Sequence, residues 1–309
     1  MKNPLSSQIA ELQSLRGVPV IVYSASINDE SVDVLYECLR KLGQQEQLNF
    51  VLLTSGGEVT TTHQLALLLH EYTHHLTILV PHTARSAGTL LCLCANELVL
   101  GPMAKLGPID PHVGAVSPSA HDTPSMISAT DIYTFRKMAE DWFGVTRKKD
   151  RLQVLALLAQ RIFPATLSSF YRFDQQIRHI AHELLVYQMP NAEIETRKRI
   201  IDQLAGGQYG HDYIISRGEI RNLGLNVRFA SSKEEQLLWE LLLACRGQIP
   251  SYLGLVEKEE TIGLIASEGF FARQIQDWID LPIRKRADSE TESLTQSGRI
   301  NDVHWEINS

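Results

Sequence analysis

The chain has 309 residues, 44% of them hydrophobic, enough for one large or two ordinary domains with a core of their own. A formal charge of −7, with no basic block longer than Arg284-Lys285-Arg286, argues against a nucleic-acid partner held by bulk electrostatics. The N-terminal MKNPLSSQIAELQSLRG lacks the apolar centre of a signal peptide, and no apolar run approaches the ~20 residues of a membrane helix, so the expectation is a cytoplasmic protein without an integral membrane segment.

In chain order, VPVIVYSA (18–25) reads as a buried strand, and SVDVLYECLRKLG (31–43) as a helix with a glycine stop. LNFVLLTSGG (48–57) is a second strand, closed by two glycines. TTTHQLALLLHEYTHH (60–75) reads as a helix leading into a third strand, LTILVPH (76–82). A turn at Ser86, a short helix to about Ala95 and the strand NELVL follow. This alternation predicts an α/β fold of parallel strands with right-handed crossovers.

From about 127 to 205 four segments with i, i+3, i+4 apolar spacing predict a helical layer that covers the sheet or forms an oligomer face. Ser216 and Glu219 read as a capping box opening a short helix that stops at Gly224. The composition shifts beyond about 229, and RKRADSETESLTQSGR (284–299) reads as a loop or linker. Residues 1–228 are therefore expected as one domain and 229–309 as a small C-terminal extension. The four cysteines, Cys38, Cys92, Cys94 and Cys245, are too few and irregular for a disulfide framework, and Cys92-Leu-Cys94 has the wrong spacing for a zinc ribbon. They read as buried thiols.

Three places carry candidate chemistry. HEYTH (70–74) matches H-E-x-x-H, which mid-helix would put His70 and His74 on one face with Glu71 as base. Here it falls in a helix's last turn, where histidine is favoured by the dipole alone. The glycine turn TSGGE (54–58) and the serine turn ARSAGT (84–89) each end an expected parallel strand, the edge where open α/β sheets gather ligands. Neither is a phosphate-loop motif, but both can expose backbone N–H groups as an oxyanion hole requires. Ser86 is a nucleophile or simply a helix N-cap. A nucleophilic serine needs a proton acceptor, for which His112, Lys137 and, more weakly, Lys105 are candidates; a lysine would need burial to lower its pKa.

TSGGEV, VPHTARSAGTLLCLCANELVLGPMAKLGPIDP and GHDYIISRGEIRNLGLNV keep an order and spacing, across roughly residues 8–228, that resembles the serine dehydrogenase proteinase family, related to signal peptide peptidase A and more distantly to Clp protease. The resemblance implies a crotonase-like fold of stacked βαβ units, usually in homo-oligomers. It implies Ser86 as nucleophile, Gly57 and Ala87 as oxyanion donors, and Gly56 shaping the turn between them. Signal peptide peptidases take a downstream lysine as base, a spacing Lys137 matches at 51 residues from Ser86; Clp protease takes a nearer histidine, a spacing His112 matches at 26. Lys137 is favoured, because a Clp-type histidine needs a carboxylate partner and the nearest downstream, Asp174, is some way off. The sequence departs from its relatives in lacking a proline before the glycines and in carrying Arg85 before the serine, where an arginine narrows the groove or binds a substrate carboxylate.

The expected function is thus a soluble serine endopeptidase cleaving peptides or proteins, with no cofactor. An extended substrate is expected to pair with the strand leading to Ser86. Two rivals remain: a zinc metallopeptidase through residues 70–74, and a catalytically silent scaffold or peptide-binding protein.

Overall fold

The computed structural model describes residues 3–109, 112–114, 126–205, 210, 212–249, 259–280 and 299–308. The N-terminal half alternates helix and strand: α1 (Ser6–Arg16), β1 (Val20–Ser24), α2 (Asp29–Leu42), β2 (Gln45–Leu53), α3 (Val59–Tyr72), β3 (Thr73–Val80), β4 (Thr83–Ala84), α4 (Ala87–Cys92), β5 (Glu97–Leu100) and β6 (Lys105–Leu106). A short hairpin, β7 (His112–Gly114) and β8 (Met126–Ser128), precedes four helices, α5 (Ala129–Phe143), α6 (Lys148–Arg161), α7 (Pro164–Gln188) and α8 (Ile194–Ala205). Then come β9 (Ile215–Ser216), α9 (Arg217–Asn222), β10 (Val227–Phe229), α10 (Ser232–Gln248), β11 (Glu259–Ser267), β12 (Phe270–Asp280) and β13 (Arg299–Asn308).

Eight strands form one sheet in the order β10-β5-β3-β2-β1-β11-β12-β13. The first five are mutually parallel and the last three antiparallel, so the expected α/β architecture is present. Strands buried on both faces read as continuous apolar runs, because alternate side chains enter different cores. Ile21, Tyr23, Phe50, Leu52, Ile78 and Val80 face one core, which includes residues of α2, α3, α4, α7 and α8. Val20, Val22, Val51, Leu53 and Leu79 face the other, under α1 and α10.

Local sequence fixes several boundaries. Asn28 accepts from the Ser31 amide to cap α2, and Gly43 ends it at φ 73°, a conformation that costs glycine little. The Ser216–Glu219 capping box opens α9 as its pattern indicates. One boundary moves: α3 stops at Tyr72, because Gln45 of β2 pairs with Thr73 and draws Thr73, His74 and His75 into β3. The C-terminal segment joins the main sheet through β11, where Val22 pairs with Ala266, while residues 284–298 of the expected linker lie outside the described residues.

The layers are tied by a charged cluster. Arg228 pairs with Glu234 at 2.7 Å and with Glu97 at 3.2 Å, and Arg16 contacts both carboxylates. This joins α1, β5, β10 and α10. Among the described residues, no single helix is long and apolar enough to cross a membrane.

Candidate active site

The glycine turn and the serine turn meet at the C-terminal ends of β2 and β4. Thr54 forms a parallel bridge with Ala84: its amide donates to the Thr83 carbonyl at 2.8 Å, and its carbonyl accepts from the Arg85 amide at 3.2 Å. Beyond Thr54 the chain must turn sharply within contact of the serine loop, and only glycine fits. A Cβ on Gly56 (φ 117°) would stand 3.0 Å from the Ser86 Cβ and 2.9 Å from the Arg85 carbonyl oxygen. On Gly57 (φ 152°) it would strike the Ile27 carbonyl at 2.0 Å. Ile27 clamps the turn from behind, its amide donating to the Gly56 carbonyl and its carbonyl accepting from the Glu58 amide, both at 2.9 Å.

Ser86 is the one non-glycine residue with positive φ among the described residues (φ 53°, ψ −119°). This conformation costs of order 1–3 kcal/mol and persists only where its surroundings impose it. Here the Gly88 amide donates to the Arg85 carbonyl at 2.8 Å and the Leu90 amide to the Ser86 carbonyl at 3.0 Å. The Thr89 hydroxyl donates to the Ala84 carbonyl and accepts from the Gly107 amide. The Ser86 side chain makes no N-capping hydrogen bond, which removes the simplest structural role for it. It is half-buried and Gly57 is exposed, so the junction opens to solvent. Among the described residues, the Gly57 and Ala87 amides donate to no protein acceptor.

The candidate bases lie elsewhere in the fold. Lys137 is exposed on α5, a helix that packs on α6, α7 and β8. His112 is the first residue of β7, and Lys105 is half-buried on β6. Asp174, the carboxylate weighed as a histidine partner, is held by Arg178 at 2.9 Å. Arg85 reaches Asp212 at 3.1 Å, a partner 127 residues away that no local pattern signals.

Two expectations need correction. Strand β4 has no free edge for a substrate: β6 pairs on one side and Thr54 bridges on the other. The H-E-x-x-H residues do not share a helix face, since His74 lies on β3; the His70 Nε2 lies 2.8 Å from the Cys94 carbonyl oxygen and its ring stacks on Tyr187. Among the described residues no three His, Cys, Asp or Glu side chains converge as a metal site would require. The four cysteines are free and buried; burial pushes the Cys38 thiol up to about 11 and the Cys245 thiol to about 12, so neither offers a thiolate at neutral pH.

A serine of positive φ thus packs against a glycine turn at the ends of two neighbouring strands. Residues 8–138 match the model of the ClpP-like SDH-type serine proteinase family. That segment contains both turns, Arg85, His112 and Lys137, and the proteinase family is one of hydrolases. Two uncharacterized proteins of Methanocaldococcus jannaschii are similar to this chain. One is 26% identical over 227 residues, covering 74% of this chain and 68% of the relative; the other is 24% identical over 241 residues, covering 78% and 71%. Among solved structures, the membrane-bound stomatin-specific protease 1510-N aligns at 15% identity over 75% of this chain and 86% of its own, with a TM-score of 0.43. ClpP1 from Listeria monocytogenes aligns at 14% identity over 71% and 95%, with a TM-score of 0.39.

Proposed function

We propose that the protein is a serine endopeptidase with Ser86 as its nucleophile. The observation that supports this reading is the close approach of Gly56 to Ser86, whose backbone has positive φ; in this reading the Gly57 and Ala87 amides serve as the oxyanion donors. Ser86 Oγ attacks the scissile carbonyl carbon and its proton passes to the base, Lys137 or His112. The two amides stabilise the oxyanion. Collapse of that intermediate breaks the C–N bond as the base returns the proton to the departing amine. Water then repeats the cycle on the acyl-serine ester, and the chemistry needs no cofactor.

The same reading makes the enzyme a homo-oligomer. Among the described residues of helix α6 none is buried in one copy of the chain, although LQVLALLA (152–159) is apolar on nearly every side, and such a helix calls for a cover. Exposed Lys137 sits on the neighbouring α5, so assembly would also supply the desolvation a basic lysine needs. The four free thiols suit a reducing compartment, and we place the enzyme in the cytoplasm.

Labelling with a fluorophosphonate probe tests the site. The wild type should label, Ser86→Ala should not, and loss in only one of Lys137→Ala and His112→Ala names the base. A wild type that stays unlabelled at neutral and alkaline pH would instead support a silent scaffold or peptide-binding protein.

A further inference from the structure

Resting on that reading, we infer that Thr54 is a positioning residue of the active site: its hydroxyl sets the direction of the Gly57 amide, and its methyl group locks that hydroxyl in place against the helix that Ser86 opens. Thr54 follows β2 and is 4% exposed. Its Oγ1 accepts from the Gly56 amide at 3.1 Å and donates to the Gly56 carbonyl oxygen at 3.3 Å. The Ile27 amide donates to the same carbonyl at 2.9 Å. The Gly56 carbonyl and the Gly57 amide belong to one planar trans peptide unit and point in opposite directions, so holding the carbonyl aims the amide. With glycine on both sides, that unit would otherwise turn about its flanking bonds at little steric cost.

The other arm of the side chain explains why threonine stands here. A Cβ on Gly88 would stand 2.5 Å from the Thr54 Cγ2, but 3.5 Å from the Ala84 Cβ and 3.7 Å from the Thr54 carbonyl oxygen, so the methyl is the group that fills the space over Gly88. Gly88 lies in α4, two residues beyond Ser86. One χ1 angle fixes both arms of a β-branched side chain, so turning the methyl off Gly88 swings the hydroxyl off Gly56. Serine would keep the hydroxyl without that lock, and valine would keep the lock without the hydroxyl. The Thr54 main chain is bound to the same loop, through the Thr83 carbonyl and the Arg85 amide. Glycine turn and serine turn are thus tied at a single residue, by its backbone and by both arms of its side chain.

A hydroxyl that only satisfied a buried amide would affect stability without affecting charge stabilisation at the reacting carbonyl, and the test separates the two. Hydrolysis of p-nitrophenyl butyrate, taken as the rate lost in Ser86→Ala, is compared with that of its thionoester. There sulfur replaces the carbonyl oxygen and accepts hydrogen bonds poorly, so well-aimed donors favour the oxygen ester. A change in folded population scales both rates alike and leaves their ratio unchanged. Thr54→Val should lower kcat/KM for the oxygen ester by about ten-fold or more, toward the loss of about 100-fold or more that follows removal of an oxyanion donor, and the oxygen-to-sulfur ratio should fall with it. Thr54→Ser retains the hydroxyl and should keep the ratio near that of wild type, at a lower Tm for want of the methyl. Gly88→Ala should push the methyl aside and lower the ratio as Thr54→Val does. Adding Thr54→Ser to Gly88→Ala should restore it, a gain that misfolding cannot imitate. A wild-type ratio in Thr54→Val or in Gly88→Ala, or a Gly88→Ala loss that Thr54→Ser does not relieve, overturns the role of Thr54 alone. No Ser86-dependent hydrolysis of the oxygen ester overturns the serine mechanism and the role of Thr54 with it.

Discussion

Gly56 and Ser86 pack so closely that one added methyl group would close the gap: a Cβ on Gly56 would stand 3.0 Å from the Ser86 Cβ, and 2.9 Å from the backbone oxygen of Arg85. The second contact is with backbone and cannot be relieved by a rotamer change. Gly56→Ala should therefore displace the serine loop and lower kcat by about 100-fold, the scale of a 1 Å misplacement at a reacting centre. Gly57→Ala meets backbone at 2.0 Å in addition to its φ of 152°, and should cost stability as well, by about 2 kcal/mol or more in denaturant unfolding. Equal activity in Gly56→Ala and wild type would refute the packing argument.

The Ser86 backbone predicts a trade of stability against function. At φ 53° and ψ −119° a Cβ is unfavourable, and glycine relieves it. Ser86→Gly should abolish fluorophosphonate labelling while raising unfolding stability by about 1 kcal/mol, within the cost of such strain. Ser86→Ala should abolish labelling without that gain. A Ser86→Gly protein less stable than Ser86→Ala would show that the loop is not strained.

The two glycines and Ser86 were legible because each states a backbone requirement locally: a close approach, then a sharp strand-to-helix turn. The parallel strands were legible for a similar reason, since Phe50, Val51 and Leu52 form a continuous apolar run only where both faces are buried. What pairing decides was not legible. Thr73 to His75 carry a helical pattern forward, yet the β2 partner makes them strand. Asp212 has no local mark as the partner of Arg85, because the contact depends on β9 lying beside β6. Leu264, Ile265 and Ala266 alternate between the two cores, but an extension of altered composition hid that they continue the sheet of β1.

The Arg16–Glu97–Arg228–Glu234 cluster should govern acid stability. The Arg228 guanidinium and hydrogen bonds from Ser231 hold the Glu234 carboxyl well below the usual carboxylate range. A carboxylate with a depressed folded pKa stabilises the protein fully above its unfolded pKa of about 4.3, and that contribution is lost as pH falls from there toward the folded value. Glu234→Gln leaves two guanidinium groups short of a partner and should destabilise the protein by about 3 kcal/mol at pH 7. The variant should also show a flatter loss of stability below pH 4.3. Parallel acid limbs for wild type and variant would place the acid sensitivity elsewhere.

His70 separates the serine from the zinc reading. Its Nε2 lies 2.8 Å from the Cys94 carbonyl oxygen, so this nitrogen carries the proton and faces an acceptor instead of a metal. The ring stacks on Tyr187 at 3.7 Å, and burial lowers its pKa below the ordinary histidine value. The neutral ring is therefore the folded form. Because the unfolded chain binds the proton more readily, stability should decline as pH falls below about 6.5 and continue to decline toward the folded pKa. His70→Ala should remove that component and destabilise the protein through the lost stack and the orphaned carbonyl. His74→Ala, an exposed change on β3, should alter neither stability nor activity. Dialysis against a strong chelator should leave Ser86-dependent labelling and peptide cleavage unchanged. Activity lost to the chelator and restored by zinc would instead require a metal in the mechanism, and the fluorophosphonate result on Ser86→Ala would then show whether the serine takes any part in it.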